Sequence, residues 1–272
     1  MNREDYLIDK LSSPYIGDDG AIVENKIYSM DAFFENVHFK RGWMSLKQIA
    51  RKAMLINISD AIAMNATPLY ALVTLSLPKE ITTDEIDEIV ASIHETAKEF
   101  GCEIIGGDTI AGERLDFAIT IISKSNNPLT RKGLKEGYLL AYTGELGESK
   151  RDLNRLFNGE KIANNSKFIE PILRQEFITK AREYLCVGMD ISDGLFCDTN
   201  KLLAYNSIGF ESIIDIEYKI GSSGEEYEML IGFDANNLDK ILEIAKNIEM
   251  KLTVFAKVVD NGREFECVGH HF

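Results

Sequence analysis

Apolar residues at Ile86, Ile89, Val90, Ile93 and Ala97 recur at the spacing of one helix face, behind the capping box Thr82-x-x-Glu85 and ahead of Gly101. The spacing predicts a helix from that box to the glycine. A β-rich run over 71–77 precedes it and stops at Pro78, and runs over 103–105 and 117–123 follow it as strands. Upstream, 46–64 reads as a helix, 27–30 as a strand, and Ala21-Ile22-Val23 as a strand entered from a turn. The second half repeats the mixture, with helical periodicity over 168–184, 195–205 and 238–248 and strand-like runs over 138–143, 210–216 and 252–259. Between the halves, the polar stretch 124–137 holds Pro128 and two glycines, which places a domain boundary near residue 137. The expected architecture is therefore mixed α/β (α+β), with domains over 1–137 and 138–272.

Composition narrows the function classes. A chain of 272 residues with 45% hydrophobic content can fill one large core or two ordinary ones. Its net charge of −14 argues against nucleic-acid or anionic-membrane surfaces, which require a basic patch. Four cysteines without a CxxC pair suggest neither a zinc site nor a disulfide framework, so a reducing cytoplasm is expected. No apolar run reaches the length of a membrane span.

The candidate chemistry lies in aspartates presented on short Gly- or Ser-bearing segments: Gly17-Asp18-Asp19-Gly20, Ser29-Met30-Asp31, Asn57-Ile58-Ser59-Asp60, Gly106-Gly107-Asp108 and Asp190-Ile191-Ser192-Asp193-Gly194. Hard cations such as Mg²⁺ take oxygen ligands, so carboxylates gathered by folding point to a metal site and a phosphate substrate. Asp60 is the most telling, because its neighbours one turn away are Ile56, Asn57, Ala63 and Met64, which turns it inward; the alternative is a cap at a break in the helix. Either aspartate segment near the N-terminus, taken alone, reads better as a solvated turn than as a ligand. Gly106-Gly107 at a strand end would let backbone N–H groups approach a phosphate, with a plain tight turn as the competing reading. Asp190 and Asp193 flank Ser192 before a helix start, where backbone donors favour anions. Gly224-Glu225-Glu226-Tyr227-Glu228 reads as opening an amphipathic segment, with an acidic first helical turn as its plain alternative. No P-loop, kinase HRD or DFG signature, or dinucleotide GxGxxG turn occurs.

Taken together and in order, GDDGAIV, SMDAFFENVHF, KAMLINISDAIAMNATP, IIGGDT, LTRKG, DISDGL, GEEYEM and the terminal GHHF resemble the thiamine-monophosphate kinase family. The resemblance runs from about residue 17 to the C-terminus. It implies the two-domain fold shared with aminoimidazole ribonucleotide synthetase, a cytoplasmic homodimer, and Mg²⁺-dependent phosphorylation of thiamine monophosphate by ATP. Carried over by motif position, it implies metal ligands at Asp19, Ser29, Met30, Asp31, Asp60, Asp108, Asp190 and Asp193, with Asp31, Asp60 and Asp108 central to catalysis. It also implies ATP contacts from Gly107, Asp108, Arg131 and Ser192, and substrate contacts from His38, Glu225, His270 and Phe272. Met30 stands where the family has a hydroxyl residue, which leaves its carbonyl as the ligand. Related enzymes that depend on an N-terminal or a C-terminal cysteine fit less well, since the first cysteine is Cys102 and the last residue is Phe272. A rival of another class, an acidic protein that stores divalent ions, would bind Mg²⁺ or Ca²⁺ without nucleotide.

Overall fold

The computed structural model describes residues 3–267. His270 and Phe272, expected at the substrate pocket, lie outside the described residues. Two five-stranded sheets account for the strands. The first has the order β1-β2-β5-β3-β4, built from β1 (Ala21–Val23), β2 (Lys26–Phe34), β3 (Thr67–Pro78), β4 (Glu103–Gly112) and β5 (Asp116–Lys124). Its pairs are antiparallel except β3 with β4. The second has the order β7-β9-β6-β10-β8, from β6 (Leu139–Thr143), β7 (Val187–Asp190), β8 (Gly209–Ser212), β9 (Met229–Phe233) and β10 (Leu252–Val259). Residues 125–138 join the two sheets without a strand or helix of their own.

The helices are α1 (Arg3–Leu11), α2 (Leu46–Ala63), α3 (Thr83–Glu99), α4 (Glu148–Phe157), α5 (Gln175–Ala181), α6 (Leu195–Asn206), α7 (Tyr218–Gly221) and α8 (Leu238–Asn247). Capping boxes start both long helices of the first half, Ser45 with Gln48 on α2 and Thr82 with Glu85 on α3. Helix α2 is buried on nearly every side, since it packs on α3, on β2, β3 and β5 of the first sheet, and on β7 and α5 of the second half. A helix enclosed in this way must match every polar side chain it carries to a partner. Lys52, Asn57, Ser59 and Asp60 are such residues.

Several elements differ from the sequence expectation. Strand β2 continues past Ser29-Met30-Asp31 to Phe34, because all nine of its residues pair with β5. Strand β4 runs through Gly106-Gly107-Asp108 to Gly112, so the glycines lie inside a strand rather than at its end. They permit close pairing, for a Cβ on Gly107 would overlap the Val73 backbone. The helix expected over 168–184 shrinks to α5 and a short 3₁₀ turn (Arg182–Tyr184), with Pro171 lacking the N–H that a longer helix needs. The strand expected over 210–216 ends at Ser212. Residues 224–228 form neither a helix nor an acidic first turn; they lead into β9 with Glu226 and Glu228 fully buried. Lys167 and Arg174 hold Glu228, and Lys167 also pairs with Glu226, which explains how two carboxylates survive there. Finally, Cys197 and Cys267 form a disulfide with Cα atoms 5.3 Å apart, a pairing that their separation of 70 residues does not advertise in sequence.

Candidate metal centre and active site

A cavity of about 400 Å³ collects side chains from both halves of the chain. Asp19 enters from the turn before β1, Asp31 from β2, Asp60 from α2, and Asp190 from the last position of β7. The loop after β7 adds Ser192 and Asp193, ending at Gly194, whose φ of +99° suits the N-cap of α6. Arg131 comes from the segment between the sheets, and His38 and Glu225 line the cavity as well.

Asp19, Asp60 and Asp190 can each offer one oxygen such that all three lie within 4.8 Å of one another. Burial raises the pKa of all three, most strongly for Asp60 and Asp190; repulsion from neighbouring aspartates raises these two further, and for Asp19 burial outweighs the pull of Arg131. The surrounding side chains restrain the cluster and offset only part of its charge, through Arg131. Asn57 Oδ1 accepts from the Asp31 backbone N–H at 2.7 Å, and Ser59 Oγ donates to Asp190 Oδ2 at 2.6 Å. Arg131 uses its guanidinium on Asp19 and its backbone N–H on Asp18, the latter at 2.6 Å. Asp19 Oδ2 and Ser29 Oγ are buried without a hydrogen-bond partner among the described residues. Converging carboxylates, orphaned oxygens and an all-oxygen donor set fit a hard divalent cation. Asp60 itself sits in unbroken helix, so the capping alternative does not hold.

His38 and Glu225 line the cavity away from the aspartate trio and are fixed separately. His38 Nδ1 accepts from the Phe34 backbone N–H at 2.9 Å, which leaves Nε2–H as the donor of the neutral ring. Glu225, at φ +54°, bonds through its backbone N–H to the Ser192 carbonyl at 2.7 Å. Its side chain accepts from Lys52 at 2.6 Å. Lys52, Asn57, Ser59 and Tyr227 are site residues that the sequence pattern does not single out; the first three lie in the same helical string as Asp60 and are fully or almost fully buried.

Gly107 and Asp108 are not brought to this cavity within one chain. Strand registers align Asp31 with Ile119, Val73 and Gly107 in one row, and Ala32 with Ala118, Thr74 and Asp108 in the next. Asp108 therefore projects from the opposite face to Asp31, three strand spacings or roughly 14 Å away. Met30 shares that outer face and is 62% exposed, although it reaches the cavity rim.

Comparison with known proteins gives the family and the fold. The family described as AIR synthase related protein, N-terminal domain, matches residues 17–124. Thiamine-monophosphate kinase from Leptospira interrogans is 30% identical over 230 residues, covering 76% of this chain and 74% of the relative. The chain belongs to the thiamine-monophosphate kinase family. The Rhodopirellula baltica thiamine-monophosphate kinase is 34% identical over 212 residues, covering 72% of this chain and 62% of its own length. In three dimensions the structure of AaThiL complexed with AMPPCP and TMP matches with a TM-score of 0.87 at 22% identity, over 99% of this chain and 96% of that one. The two-sheet α/β fold is thus that of the family. No helix among the described residues is long and apolar enough to cross a membrane.

Proposed function

We propose that the carboxylate cavity phosphorylates thiamine monophosphate to thiamine diphosphate with ATP, in a Mg²⁺-dependent reaction. The observation that carries the reading is the buried group Asp19, Asp60 and Asp190, joined by Asp31 on the same cavity, in a chain of this family. These four would hold the metal, with Ser29 Oγ and the Met30 carbonyl beside them and Asp193 on a further ion. Bound Mg²⁺ would neutralise the two polyanionic substrates and stabilise charge in a loose transition state.

The chain's own residues then have defined tasks. Arg131, already fixed by Asp18 and Asp19, presents a planar fork suited to a nucleotide phosphate. Ser192 holds the loop that carries Asp193, and its carbonyl tethers Glu225. His38 and Glu225 face the organic part of the acceptor. An oxygen of the acceptor phosphate attacks the γ-phosphorus in line while the bond to the β-bridging oxygen breaks, releasing ADP. The acceptor phosphate is ionised near neutral pH, so no general base is required.

Asp108 and Gly107 join the site from a second protomer in this reading. The outer face of the first sheet carries Tyr28, Met30, Tyr70, Leu72 and Ile110, all exposed, with Asp108 in the adjoining row. A row of exposed apolar side chains on a sheet face is suited to an isologous contact with a second copy, making the first half the dimer surface. The two sheets would correspond to domains that divide near residue 137.

A mass-resolved product assay with purified protein, ATP, Mg²⁺ and thiamine monophosphate tests the proposal. Thiamine diphosphate formed in equal amount with ADP, and only with the metal, is expected. Folded protein that binds ATP and forms no diphosphate would refute it.

A further inference from the structure

Lys52 is fully buried on α2, on the same stripe as Ile56 and Asp60. Residues eight apart on a helix stand about 12 Å apart along its axis, so Lys52 lies two turns before Asp60 and meets the cavity through Glu225, which lines it. Its ammonium lies 4.0 Å from the Phe168 ring centroid and 5.5 Å from that of Phe33. Among the described residues its anionic partner is Glu225, with Nζ to Oε2 at 2.6 Å. Phe33 and Phe168 are both buried, so the lysine is held on an apolar seat and directed at one oxygen of a carboxylate. Glu225 differs from its partner in being a quarter exposed and in lining the cavity.

A buried ammonium is costly unless it is paired, and a salt bridge with good geometry still gives little net stability. The neighbouring ion pairs of Glu226 and Glu228 join fully buried carboxylates and can be explained by burial alone. The Lys52 pair is different, because its carboxylate faces the space where a ligand would sit. Glu225 also has left-handed backbone geometry and a backbone bond to the Ser192 loop. Main chain and side chain are therefore both fixed.

We propose that Lys52 is a positioning residue for acceptor recognition. It occupies Glu225 Oε2 and so fixes the remaining carboxylate oxygen as an acceptor for a hydrogen-bond donor on a cationic heteroaromatic substrate. The inference rests on the acceptor reading of Glu225 given above. It assigns to a lysine outside the metal cluster a share of selectivity for the acceptor over the nucleotide.

The test compares wild type, Lys52→Met, Glu225→Gln and the double variant in steady-state assays, varying thiamine monophosphate and ATP separately and recording melting curves. Each single variant should raise KM for thiamine monophosphate at least tenfold and leave KM for ATP within twofold. The double variant should raise the first KM no further than Glu225→Gln alone. It should also melt above Glu225→Gln, which leaves the fully buried Lys52 ammonium unpaired. If Lys52→Met does not fold, Glu225→Gln against the double variant supplies the comparison, and equal KM values are expected. A Lys52→Met enzyme with unchanged KM for thiamine monophosphate, or a double variant whose losses multiply, would overturn the proposal while leaving the activity standing. A wild type that does not phosphorylate thiamine monophosphate would overturn the functional reading and this proposal together.

Discussion

Asp60 concentrates the tension of the site in one side chain. It is 9% exposed, raised in pKa by burial and then by Asp31, Asp190 and Asp19, and fixed on a helix that cannot swing it away. Such a carboxylate is unfavourable in the empty protein and useful when a cation is bound. Asp60→Asn should therefore lower kcat by about a thousandfold or more, since it removes transition-state charge stabilisation. The same change should raise the melting temperature of metal-free protein by a few degrees, as repulsion is relieved. Activity assays and calorimetric melts on one preparation check both halves; an active variant would remove Asp60 from the catalytic group. The sequence exposed this residue clearly, because an aspartate set among Ile56, Ala63 and Met64 is buried at a cost that a bound cation offsets. It exposed Lys52 poorly, since the partner that gives the lysine meaning lies 173 residues away.

At the scale of elements, the legible features were those whose reasons are local. The α3 capping box, the β10 span and the start of α6 follow from neighbouring residues. What escaped was set by pairing. The glycines of β4 look like a turn until Leu72 and Val73 pair beside them, and the buried Glu226 and Glu228 look like an acidic first helical turn until Lys167 and Arg174 arrive. Register also determines the placement of Asp108. On the outer sheet face, Ile110→Asp should convert dimers to monomers in light scattering and cut activity by tenfold or more, whereas a surface change such as Lys240→Asp on α8 should alter neither. A monomeric wild type would contradict the assignment of that face.

Across the whole molecule, the site depends on both sheets, on α2 between them and, in our reading, on a second copy. Mixing Asp60→Asn and Asp108→Asn subunits tests the last point. Each mixed dimer would contain one intact site, so random exchange should restore about a quarter of wild-type activity, and sites confined to single chains would restore none. Charge coupling has its own signature in pH. Folded-state pKa values of Asp19, Asp60 and Asp190 lie above the unfolded value, and burial pushes Asp198 up to about 7. The unfolded chain therefore binds fewer protons than the folded one across this range, and metal-free protein should lose stability as pH rises from about 4 to 7. Adding Mg²⁺ should reverse the loss, and the gain in melting temperature should grow with pH. A gain that shrinks as pH rises would show that these carboxylates do not take up the ion.

Phosphorus NMR on a single reaction mixture is the most direct probe of the proposed transfer, because it separates phosphorylation of the acceptor from hydrolysis. With Mg²⁺ present, the γ-phosphate signal of ATP should fall as the two signals of thiamine diphosphate rise in step, with no inorganic phosphate. Release of inorganic phosphate without a diphosphate product would contradict direct transfer at the carboxylate cavity.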